Sequence, residues 1–175
     1  MAPERTIRVT ARPLEAAAWG PFGWLPVRDT DPEDGSSRLV FEWSDVHVNV
    51  ICHRSDEVQR AADGLVCEMM FRHLTHTQAL LVLKSTAVIA VAPPTCLLGD
   101  TADAKQIEAF ILEPHDALVL HQGAWHWGPF PIDGPQVDLF NVQGLRYAED
   151  NDCKRLEDLG VDVEIAGWPV GKSVS

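Results

Sequence analysis

The chain lacks long apolar runs: none of its 175 residues begins a stretch of the ~18 that a membrane-spanning helix needs. Its opening, MAPERTIRVT, lacks the apolar core of a secretion signal. Both absences lead to the expectation of a soluble, cytoplasmic protein. Basic residues are scarce, with Lys and Arg numbering 14 against 26 Asp and Glu, for a formal net charge of -12. A phosphate backbone demands a basic surface, so nucleic acid is excluded as a partner, and no basic patch offers itself to an anionic membrane. A small anionic substrate is not excluded, because a local cationic pocket can oppose the global field. Cysteine is also sparse. Cys52, Cys67, Cys96 and Cys153 form no CxxC pair and no zinc spacing, and are read as free thiols. There is no internal repeat, low-complexity tract or linker, and almost no helical patterning.

What is present is strand after strand. VHVNVICH (46–53), GLVCEMMFRH (64–73), TQALLVLK (77–84), STAVIAVA (85–92), QIEAFIL (106–112), DALVLHQ (116–122) and PQVDLFNVQ (135–143) are short and rich in β-branched or apolar residues. SRLVFEW (37–43) reads the same way. Turn signals (LKST, APPT, EPHD, IDGP) separate several of these segments. PLEAAAWG (13–20) suits a short helix opened by Pro13 and closed by Gly20, and RSDEVQRAAD (54–63) suits another, starting at Ser55 or Asp56. RDTDPEDGSS (28–37) reads as a surface loop. Close-set strands without crossover helices predict an all-β, antiparallel sandwich or barrel, in a single domain over residues 1–175.

The chemistry-bearing residues gather in two stretches. In the first, alternation places Cys67, Met69, Phe71 and His73 on one strand face, and Glu68, Met70 and Arg72 on the other. The odd-numbered face is the more apolar, so His73 is expected to point inward, with Gln78 opening the next strand. The second stretch is LHQGAWHWGP (120–129). Gly123 permits a tight bend, and His126 follows three residues later. His121 is read as either a site residue or a turn former. His76 and His115 read as solvated loop residues, and His47 and His53 as strand residues without a site role. Arg72, opposite His73, reads as structural. Lys84, in the turn after a strand, is either a solvated lysine or a group at the barrel mouth that attracts a carboxylate.

The G-x-x-H of Gly123 to His126 resembles the second motif of the cupin superfamily, with His121 where a proline usually stands. Phe71, His73 and Gln78 fall on the positions of two histidines and a glutamate in the first cupin motif. Over the whole chain, PLEAAAWGPFG (13–23), RHLTHTQALLVLK (72–84), IEAFILEPHDALVLHQGAWHWGPF (107–130), VDLFNV (137–142) and DNDC (150–153) occur in the order seen in the ureidoglycolate lyases, formerly called ureidoglycolate hydrolases. The resemblance spans about residues 6–153 and leaves 154–175 as a C-terminal tail. The chain departs from the family pattern at Phe71, Leu74, His76, Leu120 and Trp127.

The resemblance implies a cupin-type β-barrel (a double-stranded β-helix, or jelly roll) with a short N-terminal helix. It implies a carbon–nitrogen lyase of the amidine-lyase type that releases urea and glyoxylate from ureidoglycolate, a step of allantoin and purine nitrogen catabolism. His73 and His126 are then the acid–base pair, with His121 and Gln78 in support. Lys84, Trp125, Trp127 and Asp138 are the expected substrate contacts. A divalent metal, nickel or another, is implied with His73, Gln78 and His126 as ligands; the same groups can instead hydrogen-bond a substrate with no metal. A homodimer is implied too. Two alternatives stand beside this reading: a diverged metal-dependent cupin, dioxygenase or isomerase, acting on a small organic acid, and a non-catalytic small-acid binding module.

Overall fold

The computed structural model describes residues 5–27, 37–42 and 45–168. Two antiparallel sheets face each other. The first holds five strands in the order β3 (Gly23–Trp24), β10 (Ala117–Leu120), β7 (Gln78–Lys84), β12 (Gln136–Gly144) and β4 (Val46–Arg54). The second holds six, in the order β13 (Asn151–Arg155), β6 (Met69–His73), β11 (Trp125–Pro131), β8 (Ala87–Ala92), β9 (Glu108–Leu112) and β2 (Arg12–Pro13), the β2–β9 pair alone being parallel. This is the expected all-β, cupin-type barrel. Between the sheets lies a core of Trp19, Phe22, Leu80, Val82, Ile89, Val91, Phe110, Leu118 and Leu139.

A third sheet, β1 (Arg5–Thr10), β14 (Val161–Ala166) and β5 (Gly64–Cys67), covers the back of the six-stranded sheet. It explains why AVIAVA (87–92) is apolar throughout. Ala87, Ile89 and Val91 of β8 face the barrel, while Val88, Ala90 and Ala92 face this covering layer, so both faces of the strand are buried. β14 follows a 3₁₀ turn at Leu156–Leu159, so ordered structure continues well into the 154–175 tail.

The structure corrects several expectations. The N-terminal helix, α1, is only Ala16–Trp19, because Arg12 and Pro13 are drawn into pairing with β9. No helix forms over 54–63. That stretch turns back on itself, Ala61 N–H donating to Gly64 O and Val66 N–H to Gln59 O, so its amides are committed to a hairpin. Nor is 37–43 a strand in its described part, 37–42. It is pinned as an irregular run against Thr75–Thr77 through Val40, Phe41 and Glu42. The segment 64–73 is two strands in two different sheets, broken at Glu68. The break sends Cys67 to the covering layer, where its Sγ lies 3.5 Å from Met70 Sδ, while Met69, Phe71 and His73 keep the barrel face. A second short helix, α2 (Thr101–Ala104), is capped by the Asp100 carboxylate, which accepts from the amides of Ala102 and Asp103. Among the described residues no helix is long and apolar enough to cross a membrane.

The outer face of the five-stranded sheet has no such covering layer. Val46, Val48 and Val50 of β4 and Phe140 of β12 stand 40–57 % exposed, and the register sets them beside Val142, Ala79 and Leu81 with no charge among them.

Candidate functional site

Between the two sheets opens a cavity of about 450 Å³. The pleat decides what lines it. On β12 the inward residues are Val137, Leu139, Asn141 and Gln143, so one face runs from apolar to amide along its length. On β7 the inward residues are Gln78, Leu80 and Val82. On β6 they are Met69, Phe71 and His73. β11 brings His126 opposite Phe71. The polar ends of these strands coincide. Asn141 pairs with Leu80, which carries Gln143 to the level of Gln78, and the short loop 74–77 joins His73 to Gln78.

Gly123 shapes the entry to β11. Its φ of +77° is left-handed, a conformation that favours glycine, and its N–H donates to His73 O at 2.6 Å. The bend expected from the sequence is therefore there, and it ties the two histidine segments together. His126 Nδ1 donates to Ala124 O at 3.2 Å, which leaves Nε2 as the bare, basic nitrogen. The rings of His73 and His126 lie 5.3 Å apart, and His76 stacks on His73 at 4.6 Å.

His76 overturns its reading as a solvated loop residue: it is 2 % exposed. Asp150 pins the loop around it, accepting from the amides of Leu74 (3.0 Å) and Thr75 (2.8 Å) and from the Thr75 hydroxyl (2.6 Å). The same carboxylate lies 3.2 Å from His76 Nδ1, although neither ring nitrogen of His76 makes a well-aligned hydrogen bond. Gln78 Nε2 donates to Asn141 Oδ1, and Asn141 Nδ2 donates to Asn49 Oδ1, each at 2.8 Å. That chain orients Gln78 so that Oε1 is buried without a partner, as is His73 Nδ1. Unpaired buried polar atoms cost free energy.

Burial holds the imidazoles neutral. His73 is pushed down to about 3, by burial first and then by the neighbouring His126 and His76. His126 is pushed down to about 4, chiefly by burial, against the hydrogen bond to Ala124 O. Burial lowers His76 as well, with Asp150 opposing. For Asp150 burial acts upward, but the hydrogen bonds from Thr75 and Leu74 outweigh it and hold the carboxyl below its usual range. Glu68 and Arg155 are the acidic and the basic residue of the lining.

Of the residues singled out from the sequence, His73, Gln78, His126 and Trp127 line the cavity, and the other four do not. His121 is exposed, its ring beside Trp24 at 5.5 Å. Trp125 faces the covering layer, its Nε1 donating to Cys96 O and the Arg72 guanidinium lying over its ring. Asp138 is on the even-numbered, outward face of β12 and accepts from Gln136 Nε2. Lys84 ends β7 at the far end from Gln78, roughly 20 Å away at strand rise, so it is not at this mouth. His53, read as lacking a site role, does line the cavity, with Nδ1 2.8 Å from Pro129 O. Gln143 was legible from alternation along β12. His76 and Asp150 carried no local signal.

A family model for ureidoglycolate lyase matches residues 6–162. The chain belongs to the ureidoglycolate lyase family. No curated protein matches it. Among solved structures, a dTDP sugar isomerase from Desulfovibrio desulfuricans G20 is similar with a TM-score of 0.44 and 10 % identity, over 75 % of this chain and 77 % of that one. An L-ribose isomerase from Cellulomonas parahominis, solved with L-ribose, gives a TM-score of 0.43 and 13 % identity over 79 % and 70 %. Neither likeness bears on activity.

In this member of the ureidoglycolate lyase family, the donors with metal-ligand spacing differ from the expected His73, Gln78 and His126. They are His73, His76 and Asp150, whose ligand atoms lie within 4.8 Å of one another. Two imidazoles and a carboxylate suit a divalent transition metal, and the unpartnered ring nitrogens of His73 and His76 fit such an ion. Room for His76 depends on Gly144. A Cβ there would stand 2.7 Å from His76 Nδ1 and 3.0 Å from its Cγ. Gly144→Ala is therefore expected to lower stability by about 1–3 kcal/mol, the usual cost of overpacking. Adding His76→Ala should restore most of that loss in a thermal melt. An undiminished melting temperature in the single variant would contradict this packing.

Proposed function

We propose that the protein is a ureidoglycolate lyase-type enzyme that eliminates urea from ureidoglycolate within the inter-sheet cavity. What supports this reading is the bare Nε2 of His126 near His73, in a cavity also lined by Gln78, whose Oε1 lacks a donor. The substrate hydroxyl gives its proton to His126 Nε2. The O–H electron pair closes the carbonyl as the carbon–nitrogen bond breaks, and that bond's pair leaves on nitrogen. The imidazolium returns the proton to the departing nitrogen, giving glyoxylate and urea with no oxidation or reduction. His73 hydrogen-bonds the leaving nitrogen, and Gln78 Oε1 accepts from the ureido N–H. A base near pKa 4 is a weak acceptor at pH 7. The carboxylate of the bound substrate brings negative charge into the buried site and raises it toward neutrality. A divalent ion held by His73, His76 and Asp150 would polarise a substrate oxygen as a Lewis acid. Trp127 and Phe130, whose rings lie 4.7 Å apart, wall the cavity on its β11 side.

The product test is direct. Racemic ureidoglycolate incubated with the protein should yield urea and glyoxylate in equal amounts. Release of ammonia in place of urea means hydrolysis and contradicts the elimination. Iron in stoichiometric amount, with another small acid as substrate, would instead favour a diverged oxygenase.

The apolar patch that Val46, Val48, Val50 and Phe140 form with Val142, Ala79 and Leu81 on the outer face of the five-stranded sheet supports a homodimer, since exposed apolar sheet faces of this kind are commonly covered by a partner. Light scattering at micromolar concentration should give the mass of two chains, and Val48→Asp should shift it toward one. The mass of one chain for the parent contradicts the dimer.

A further inference from the structure

The cavity is larger and more apolar than ureidoglycolate requires. Its volume, about 450 Å³, falls in the range of ~300–1,000 Å³ typical of sites for much bigger ligands. The polar groups occupy one end. His73, Gln78 and Gln143 are level with one another, and His126 adjoins them. From there the lining turns apolar along β6, β7 and β12, while β4 carries Ile51 and then, at the far end, His53, whose ring stacks on Phe130 at 5.0 Å. On β6 it passes from His73 through Phe71 to Met69, roughly 13 Å at strand rise. Across the gap Leu80 leads off from Gln78, and the paired Leu139 and Ile51 continue the wall. Phe130 closes the other side. Beyond this shaft stand Glu68 and Arg155, at the level of Met69.

A small, fully polar acid fills only the polar end and leaves the shaft to water against hydrocarbon. Resting on the lyase reading of the same site, we propose that the preferred substrate is a ureidoglycolate-type 2-hydroxy acid carrying an apolar substituent on its outer nitrogen. The polar head sits among His73, His126 and Gln78, and the substituent lies along Phe71, Leu80, Leu139 and Ile51. Phe71 marks the start of the shaft, because it is the cross-strand neighbour of His126. Its side chain touches the substituent, not the reacting atoms, and so sets specificity. The chemistry is unchanged: the same carbon–nitrogen bond breaks, and a substituted urea leaves with glyoxylate.

Two measurements on the full chain test this. The first is calorimetric binding of straight-chain 2-hydroxy acids from glycolate to 2-hydroxyoctanoate. Affinity should rise three- to fourfold per methylene, on the order of a hundredfold over four, as apolar area leaves water. Phe71→Glu should flatten that series, and the milder Leu80→Asn should do so in part if the first variant folds poorly. The second is glyoxylate release from ureidoglycolate and from its N-butyl and N-benzyl derivatives. A higher kcat/KM for the derivatives supports the proposal. Affinity that is flat or falls with chain length overturns it, even if ureidoglycolate itself is turned over. Tighter binding of long acids with no glyoxylate from any compound upholds the apolar shaft and refutes the lyase chemistry.

Discussion

His126→Ala is expected to lower kcat by ~10²–10⁴-fold, about 3–5 kcal/mol of transition-state stabilisation, while the protein melts close to the parent temperature. The size follows from what the side chain does. Its Nδ1 is spent on Ala124 O, so Nε2 is the group that takes and returns the substrate proton. Removing it leaves His73, whose ring lies 5.3 Å from that of His126, as the neighbouring imidazole of the lining. His73→Ala should cost a similar factor, since it serves the leaving nitrogen and contributes a donor to any ion. The melts should change little, because removing a buried imidazole also removes its unpaired nitrogen. Lys84→Ala and His115→Ala are the controls. Lys84 is at the opposite end of its strand, and His115 is exposed in the turn before β10. Full activity in His126→Ala would end the acid–base account.

The second large effect is on stability in acid. His73 and His126 titrate near 3 and 4 in the folded chain, against about 6.5 when unfolded. Between those limits the unfolded chain binds protons that the folded chain refuses. Stability is therefore complete above pH 6.5 and falls as the pH drops toward 4, at up to about 1.4 kcal/mol per pH unit for each histidine. The two together should remove on the order of 5 kcal/mol by pH 4. The lowered Asp150 adds to the loss at still lower pH, because its hydrogen-bonded carboxylate must then be protonated. Urea unfolding of chelator-treated protein at stepped pH measures this. The double variant His73→Gln/His126→Gln should show a shallower slope. Parent stability that holds constant from pH 7 to pH 4.5 contradicts the buried, neutral imidazole cluster.

The barrel was legible because its cause is local. Period-two patterns in TQALLVLK and PQVDLFNVQ, and unbroken apolarity in AVIAVA, are properties of single strands. The Gly123 bend was legible for the same reason, since a left-handed turn ahead of a histidine is written in adjacent residues. His76 was not. Its burial comes from Asp150 and from the absence of a Cβ at Gly144, contacts that close more than sixty residues of chain. Short-range reasoning saw only a histidine between two threonines. Lys84 was open between a solvated lysine and a group at the barrel mouth, because position in a turn says nothing about which end of the barrel the turn occupies; it stands exposed at the end far from Gln78. Asp138 was placed by its match to a pattern, although the alternation of β12 already pointed it outward.

The most direct test of the account is a single comparison at pH 7.5. Urea and glyoxylate are followed by proton NMR from racemic ureidoglycolate, with the parent chain and with His126→Ala, each with and without added divalent metal. The account predicts equimolar urea and glyoxylate from the parent and at least a hundredfold slower release from the variant at the same melting temperature. Equal rates from both chains, or no release from the parent under any metal condition, would contradict it.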